Sequence, residues 1–314
     1  MAIQYIEPLS QSISRAKRDL FKPFDFRKWF VVGLTAFLAM AADIQMSGGF
    51  PGGYIRKGSK PNLEDVLYFP QRALEWLANH PGWAMLIAAG VFLAVAIGVV
   101  ITWLSARGKF MFLDNVVRSQ SRVVAPWYEY RKEANSFFWW HLLWGMIFIG
   151  IVLVYLFYCV RWLQALYAGS GNGRILLVPS VLAGLGLFAL SLAALFIFLL
   201  GRDFVIPIMY RDRTPWWDAV QKFLPLFFSE FLYFLGYALF RFCLSLLIAA
   251  AIILLGCGTC CIAFVILAIP YINAVFLLPV SYALRAFSVE FLEQFGPEYR
   301  IFPRPEYIPP TATV

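Results

Sequence analysis

Six long apolar runs, near residues 29–46, 82–105, 137–160, 178–200, 227–255 and 259–283, alternate with shorter polar connections along the chain. Each suffices for a helix across about 30 Å of hydrocarbon, which takes roughly 20 residues at 1.5 Å per residue. Strand-like alternation is absent, and an open sheet edge would leave backbone groups without partners in lipid, so no barrel is expected. The predicted fold class is all-α. It is a polytopic membrane helical bundle with six transmembrane helices over 29–283, an amphipathic cytoplasmic segment at 1–28, and a cytoplasmic helix with a Pro-rich tail at 284–314.

The connections are patterned too. After the second run, Phe110, Leu113 and Val117 share one helical face, while Arg107, Asp114 and Arg118 share the other, with Asp114 and Arg118 at i, i+4 spacing. No proline separates this stretch from the run before it, so the second span is expected to continue into the cytoplasm. Pro126 then starts a new helix, with Trp127, Tyr128 and Tyr130 suited to the headgroup region. A second version begins at Gly201: Gly108 to Arg118 and Gly201 to Arg211 are both ten residues, and Pro126-Trp127 is matched by Pro215-Trp216. A third is split between the chain ends, with Arg285 to Phe295 leaving the membrane and Leu9 to Lys22, Pro23 and Trp29 leading into it. The pattern predicts three helical hairpins of one orientation, related by an axis along the membrane normal. Their cytoplasmic helices form a collar carrying Arg107, Lys109, Asp114, Arg118, Trp127, Arg202, Arg211 and Trp216.

Composition narrows the classes. With 61% hydrophobic and 14% charged residues and a mean hydropathy of +0.72, the chain is too apolar for a soluble domain of this size. Nineteen of its 26 Lys and Arg residues lie in 1–28, 106–136, 201–226 and 284–314, against six in 47–81 and 161–177, which places both termini in the cytoplasm. The net charge of +8 then reads as topology plus contact with anionic lipid headgroups; a nucleic-acid partner would need a soluble basic domain.

Arg241 is the one basic residue inside a run, and a guanidinium there needs a partner, water or a route to the interface. In a hairpin turning at Cys257, Asn273 lies level with Arg241, and Tyr237 one turn away offers a second acceptor. The intramembrane cluster Arg241, Asn273 and Tyr237 reads either as an anion or lipid-phosphate site or as a structural clamp, and the clamp is preferred. Cys257, Cys260 and Cys261 supply three thiols without a nearby histidine, so no metal is expected. A small-residue turn is the first reading, and a disulfide, with Cys159 as a candidate partner, is the second. In the outer segment 47–81, "NLEDVLYFPQRALEWLANH" predicts a short helix that Asn62 could cap, and "FPRPEYIPPTATV" predicts an extended tail.

"AKRDLFKPFDFRKWFVVGLTAFLA", "RGKFMFLDNVVR" and "APWYEYRKEANSFF" together resemble a family of bacterial and archaeal six-span membrane proteins without assigned function. That family is similar in plan to membrane domains fused to some glycerophosphodiester phosphodiesterases. The resemblance implies a prokaryotic cytoplasmic membrane. It carries no catalytic residue over, because neither His80 nor His141 is followed by Arg-Gly. The expected function is a non-catalytic scaffold that binds lipid, or a protein through its cytoplasmic helices or tail, with no cofactor. A transporter or channel for a small anionic or lipid-derived solute is the alternative. An embedded lipid enzyme comes last, since the collar acids Asp114, Asp203, Asp212 and Asp218 lack a histidine partner.

Overall fold

The computed structural model describes residues 3–47, 63–170, 177–259 and 267–303. In chain order they form α1 (Ile6–Phe21), α2 (Phe26–Ser47), α3 (Leu63–Asn79), α4 (Pro81–Arg118), α5 (Val124–Glu129), α6 (Arg131–Ser170) and α7 (Leu177–Leu200). A π-helical turn (Gly201–Val205), α8 (Ile206–Asp212), α9 (Trp216–Ser229), α10 (Phe231–Gly258), α11 (Pro270–Phe276), α12 (Leu278–Glu293) and a 3-10 turn (Pro297–Tyr299) follow. The described residues contain no strand.

Among the described residues, four segments are long and apolar enough to cross a membrane: Pro81–Arg118, Arg131–Gly169, Val178–Asp212 and Phe231–Gly258. α11 and α12 make a fifth if they are taken as one span bent by 66°. The bend has a covalent cause, since Pro279 has no N–H to offer the carbonyl of Val275. α2, expected as the first of six spans, is not among these segments. The expected continuation of the second run is present, because α4 is one helix of 38 residues, about 57 Å long. The short helix expected between the first two runs is α3, while its expected cap Asn62, Cys260, Cys261 and the tail beyond Pro303 lie outside the described residues.

By contacts the chain divides into two units. The first comprises Met1–Ala41, Leu104–Phe138 and Leu199–Val314; the second comprises Ala42–Trp103 and Trp139–Phe198. In the second unit most side chains of α4, α6 and α7 are exposed and apolar, among them Trp83, Phe92, Leu153, Phe157 and Phe188. One of its internal ties is the Tyr155 hydroxyl donating to the Ala183 carbonyl at 2.6 Å.

The first unit is packed like a soluble core. Residues 105–117 of α4 are all buried, and so are 203–210 of the π turn and α8. Phe204, Phe234, Tyr237, Phe287 and Phe291 are fully buried around one another, with centroids of 5.0 Å between Phe204 and Phe234 and 4.8 Å between Tyr237 and Phe291. Rings at such separations add roughly 0.5–1.5 kcal/mol per pair to simple burial. The two chain ends meet: α1 packs along α12, Arg15 pairs with Glu290 at 2.8 Å, and the Tyr5 ring stacks on Phe291 at 5.5 Å. α2 lies against the cytoplasmic-type stretch of α4, where the Ser105 hydroxyl donates to the Ala39 carbonyl at 2.9 Å and Asn115 Nδ2 to Thr35 Oγ1 at 3.3 Å.

Candidate functional site

Three aspartates are buried in the first unit, and each meets a tyrosine hydroxyl from a different element. Asp19 of α1 accepts from Tyr282 of α12 at 2.9 Å and from Ser119 at 2.7 Å. Asp114 of α4 accepts on Oδ1 from Tyr210 of α8 at 2.8 Å and from Tyr130 at 3.2 Å, with Arg118 Nε at 2.9 Å. Asp203 of the π turn accepts from Tyr237 of α10 at 3.0 Å and from Arg202 Nε at 3.1 Å. Burying a carboxylate costs several kcal/mol unless its oxygens are occupied. These tyrosines meet that need while tying together helices distant in sequence. Burial, and then the hydrogen bond with Tyr210, pushes the Tyr130 phenol well above its ordinary value, so it remains a neutral donor. The Tyr130 and Tyr210 rings stack at 4.7 Å, and the Arg213 guanidinium stands 3.8 Å over Tyr130.

The third cluster differs from the other two in its charge. Arg202, Arg241 of α10 and Arg285 of α12 all act on the single carboxylate of Asp203. Arg241 Nε lies 3.8 Å from Asp203 Oδ2, an ion pair beyond hydrogen-bond reach. Arg285 Nη1 donates to the Arg202 carbonyl at 2.7 Å. Local sequence explains that contact. The Ile206 N–H bonds back to the Gly201 carbonyl in the π turn, and Pro207 has no N–H, so the Arg202 carbonyl has neither the usual donor nor the next one along. Arg285 supplies the missing hydrogen.

Part of the expected site is therefore redrawn. Arg241 and Tyr237 do come together, but over Asp203; no hydrogen bond joins Arg241 to Asn273, whose Oδ1 is buried without a hydrogen-bond partner. The level-position argument pairs only the two arms of one hairpin, and the carboxylate comes from elsewhere in the chain. Of the collar residues, Arg107, Lys109, Asp114 and Trp216 are buried. Arg107 donates to the Trp127 carbonyl at 3.2 Å and lies 4.7 Å over the Trp127 ring. Trp216 packs 5.4 Å from Phe137, and its backbone N–H donates to Ser136 Oγ at 2.9 Å. Arg211 is exposed and 3.9 Å from Asp212. The expected Asp114–Arg118 pair is present. Cys159 and Cys257 are free thiols.

Sequence reasoning missed Asp19, Tyr282, Tyr210 and Arg285 as site residues. The available signal was the recurrence of single Asp and Tyr residues inside otherwise apolar amphipathic stretches, where each needs a partner.

A family described as "Family of unknown function (DUF7544)" matches residues 3–300, and the chain belongs to it. No curated protein and no solved structure matches the chain, so no link to the glycerophosphodiester phosphodiesterases is shown.

Proposed function

We propose that this chain is a non-catalytic, multi-pass protein of a prokaryotic cytoplasmic membrane. It has six spans in three same-way hairpins, both termini in the cytoplasm, and a cytoplasmic-side helical unit that binds anionic lipid or a protein partner. The observation that carries the reading is what the first unit displays outward. Each segment expected to lead back into the membrane exposes an aromatic side chain with an exposed basic residue close by in sequence: Phe26 with Arg27, Tyr128 with Arg131, and Trp217 with Lys222. Rings of this kind settle at the headgroup level, and each nearby Lys or Arg gains about 1 kcal/mol at an anionic surface. The buried acids support a scaffold as well. Asp114 and Asp203 are already held by tyrosine and arginine, which leaves neither aspartate placed as a general base.

The test is native mass spectrometry of the protein released from nanodiscs of mixed phosphatidylglycerol and phosphatidylcholine. Wild type is expected to retain phosphatidylglycerol several-fold over its bulk share, and a variant combining Phe26→Ala, Tyr128→Ala and Trp217→Ala to lose most of that preference. Bulk lipid ratios in wild type, together with saturable anion flux in proteoliposomes, would replace the scaffold with a transporter.

A further inference from the structure

We infer that Arg241 and Arg285, with Arg202 at the rim, form a binding site for one phosphate-type oxyanion. The first argument is charge. Around Asp203, one carboxylate is shared among three guanidinium groups. Arg202 Nε takes Oδ1 at 3.1 Å, and Arg241 is left at 3.8 Å from Oδ2. Arg285 spends one nitrogen on a backbone carbonyl.

The second argument is unused donors. Arg285 Nη2 and Arg241 Nη1 are both buried without a hydrogen-bond partner. Arg285 is 8% exposed, and the Arg241 side chain 13%. Guanidinium N–H groups buried without an acceptor are costly, and more so when charged, so two in one cluster call for an acceptor that carries negative charge. A tetrahedral oxyanion fits two guanidinium forks, each of which can present paired N–H groups to its oxygens.

The third argument is depth. α7 supplies 24 uncharged, mostly apolar residues, about 36 Å, which is enough to cross the hydrocarbon before Arg202 is reached. Arg202 is therefore at headgroup level, and Arg241 and Arg285 share its neighbourhood. The Arg202 side chain is 28% exposed, against 13% for Arg241. A phospholipid phosphate and free inorganic phosphate present the same chemistry to these donors. The site goes beyond the aromatic-belt reading, because a belt meets many headgroups and this cluster holds one anion.

Three arms test it, on the full chain. In nanodiscs of phosphatidylcholine with phosphatidylglycerol, wild type is expected to carry one phosphatidylglycerol that survives delipidation, and Arg241→Gln to lose it at least tenfold. In nanodiscs of phosphatidylcholine alone, inorganic phosphate raises the melting temperature of wild type and leaves Arg241→Gln unmoved if the natural ligand is the free ion. If Arg241→Gln does not fold, Arg241→Lys keeps the charge without the fork and is expected to weaken binding about tenfold. Wild type that holds no single lipid and ignores phosphate overturns the site, as does a folded Arg241→Gln that binds like wild type; the arginines are then only counterions of Asp203. The Phe26, Tyr128 and Trp217 variant separates the two readings: it should shed the general lipid preference and keep the single bound phosphate.

Discussion

Replacing Gly108 with alanine is expected to destabilise the protein by about 3 kcal/mol, the upper end of what overpacking costs. A Cβ at this position would come within 2.5 Å of the Ala39 amide nitrogen and the Leu38 carbonyl carbon. Those are backbone atoms of α2, so no rotamer change relieves the contact. The two helices must separate, and the Ser105 bond to the Ala39 carbonyl at 2.9 Å stretches with them. The same substitution at Gly98, on the same helix, meets nothing within 4 Å. There alanine should be neutral or stabilise by up to about 1 kcal/mol, through its better helix propensity. Thermal unfolding in one detergent compares them directly. Equal melting temperatures for the two variants would mean that α2 and α4 do not approach this closely.

Asp114→Leu is the second large effect, with an expected loss of about 3–5 kcal/mol, typical of removing one side of a buried charged network. Leucine fills a similar volume, yet it takes the acceptor from the buried hydroxyls of Tyr210 and Tyr130 and leaves Arg118 with Glu129 at 3.1 Å and the Tyr130 oxygen at 3.2 Å. Arg118 is 40% exposed and can turn to water, so most of the loss arises from the tyrosines. The milder variants grade the argument. Asp114→Asn keeps a carbonyl acceptor and should cost about half as much, while Tyr210→Phe removes one donor and should cost roughly 1 kcal/mol. If Asp114→Leu melts no lower than Tyr210→Phe, the carboxylate does not organise this junction. The same series bears on chemistry: a headgroup-hydrolysing activity lost selectively in Asp114→Asn, with melting unchanged, would restore the enzyme reading.

The helical and membrane character of the chain was legible because it rests on local pattern. α4 runs unbroken through Gly108 because no proline interrupts it, and Asp114 finds Arg118 because one helical turn brings them together. The association of α1 with α12 was hinted at by two half-patterns at opposite ends of the chain. Long-range partners were not legible. Nothing local to Asp203 names Tyr237, and nothing local to Arg241 names Asp203, since both pairings depend on how separate helices are arranged around one another. The burial of Trp216 was misread for a related reason: tryptophan suits a headgroup layer and a packed core alike, and Gly201, which makes room for its ring, stands fifteen residues earlier. Trp217 beside it takes the outward position.

The π turn at Gly201–Val205 also sets the phase of everything after it. In a regular α-helix each residue advances about 100° around the axis, so a single added residue rotates the remainder of the helix by that amount. Here the extra residue is absorbed in the wide turn, and Tyr210 comes round to face Asp114. Losing one residue between 201 and 205 would keep Tyr210 and the other side chains of α8 and still turn them about 100° away from their partners. For this protein a change in length at that turn is a graver edit than most changes in chemistry.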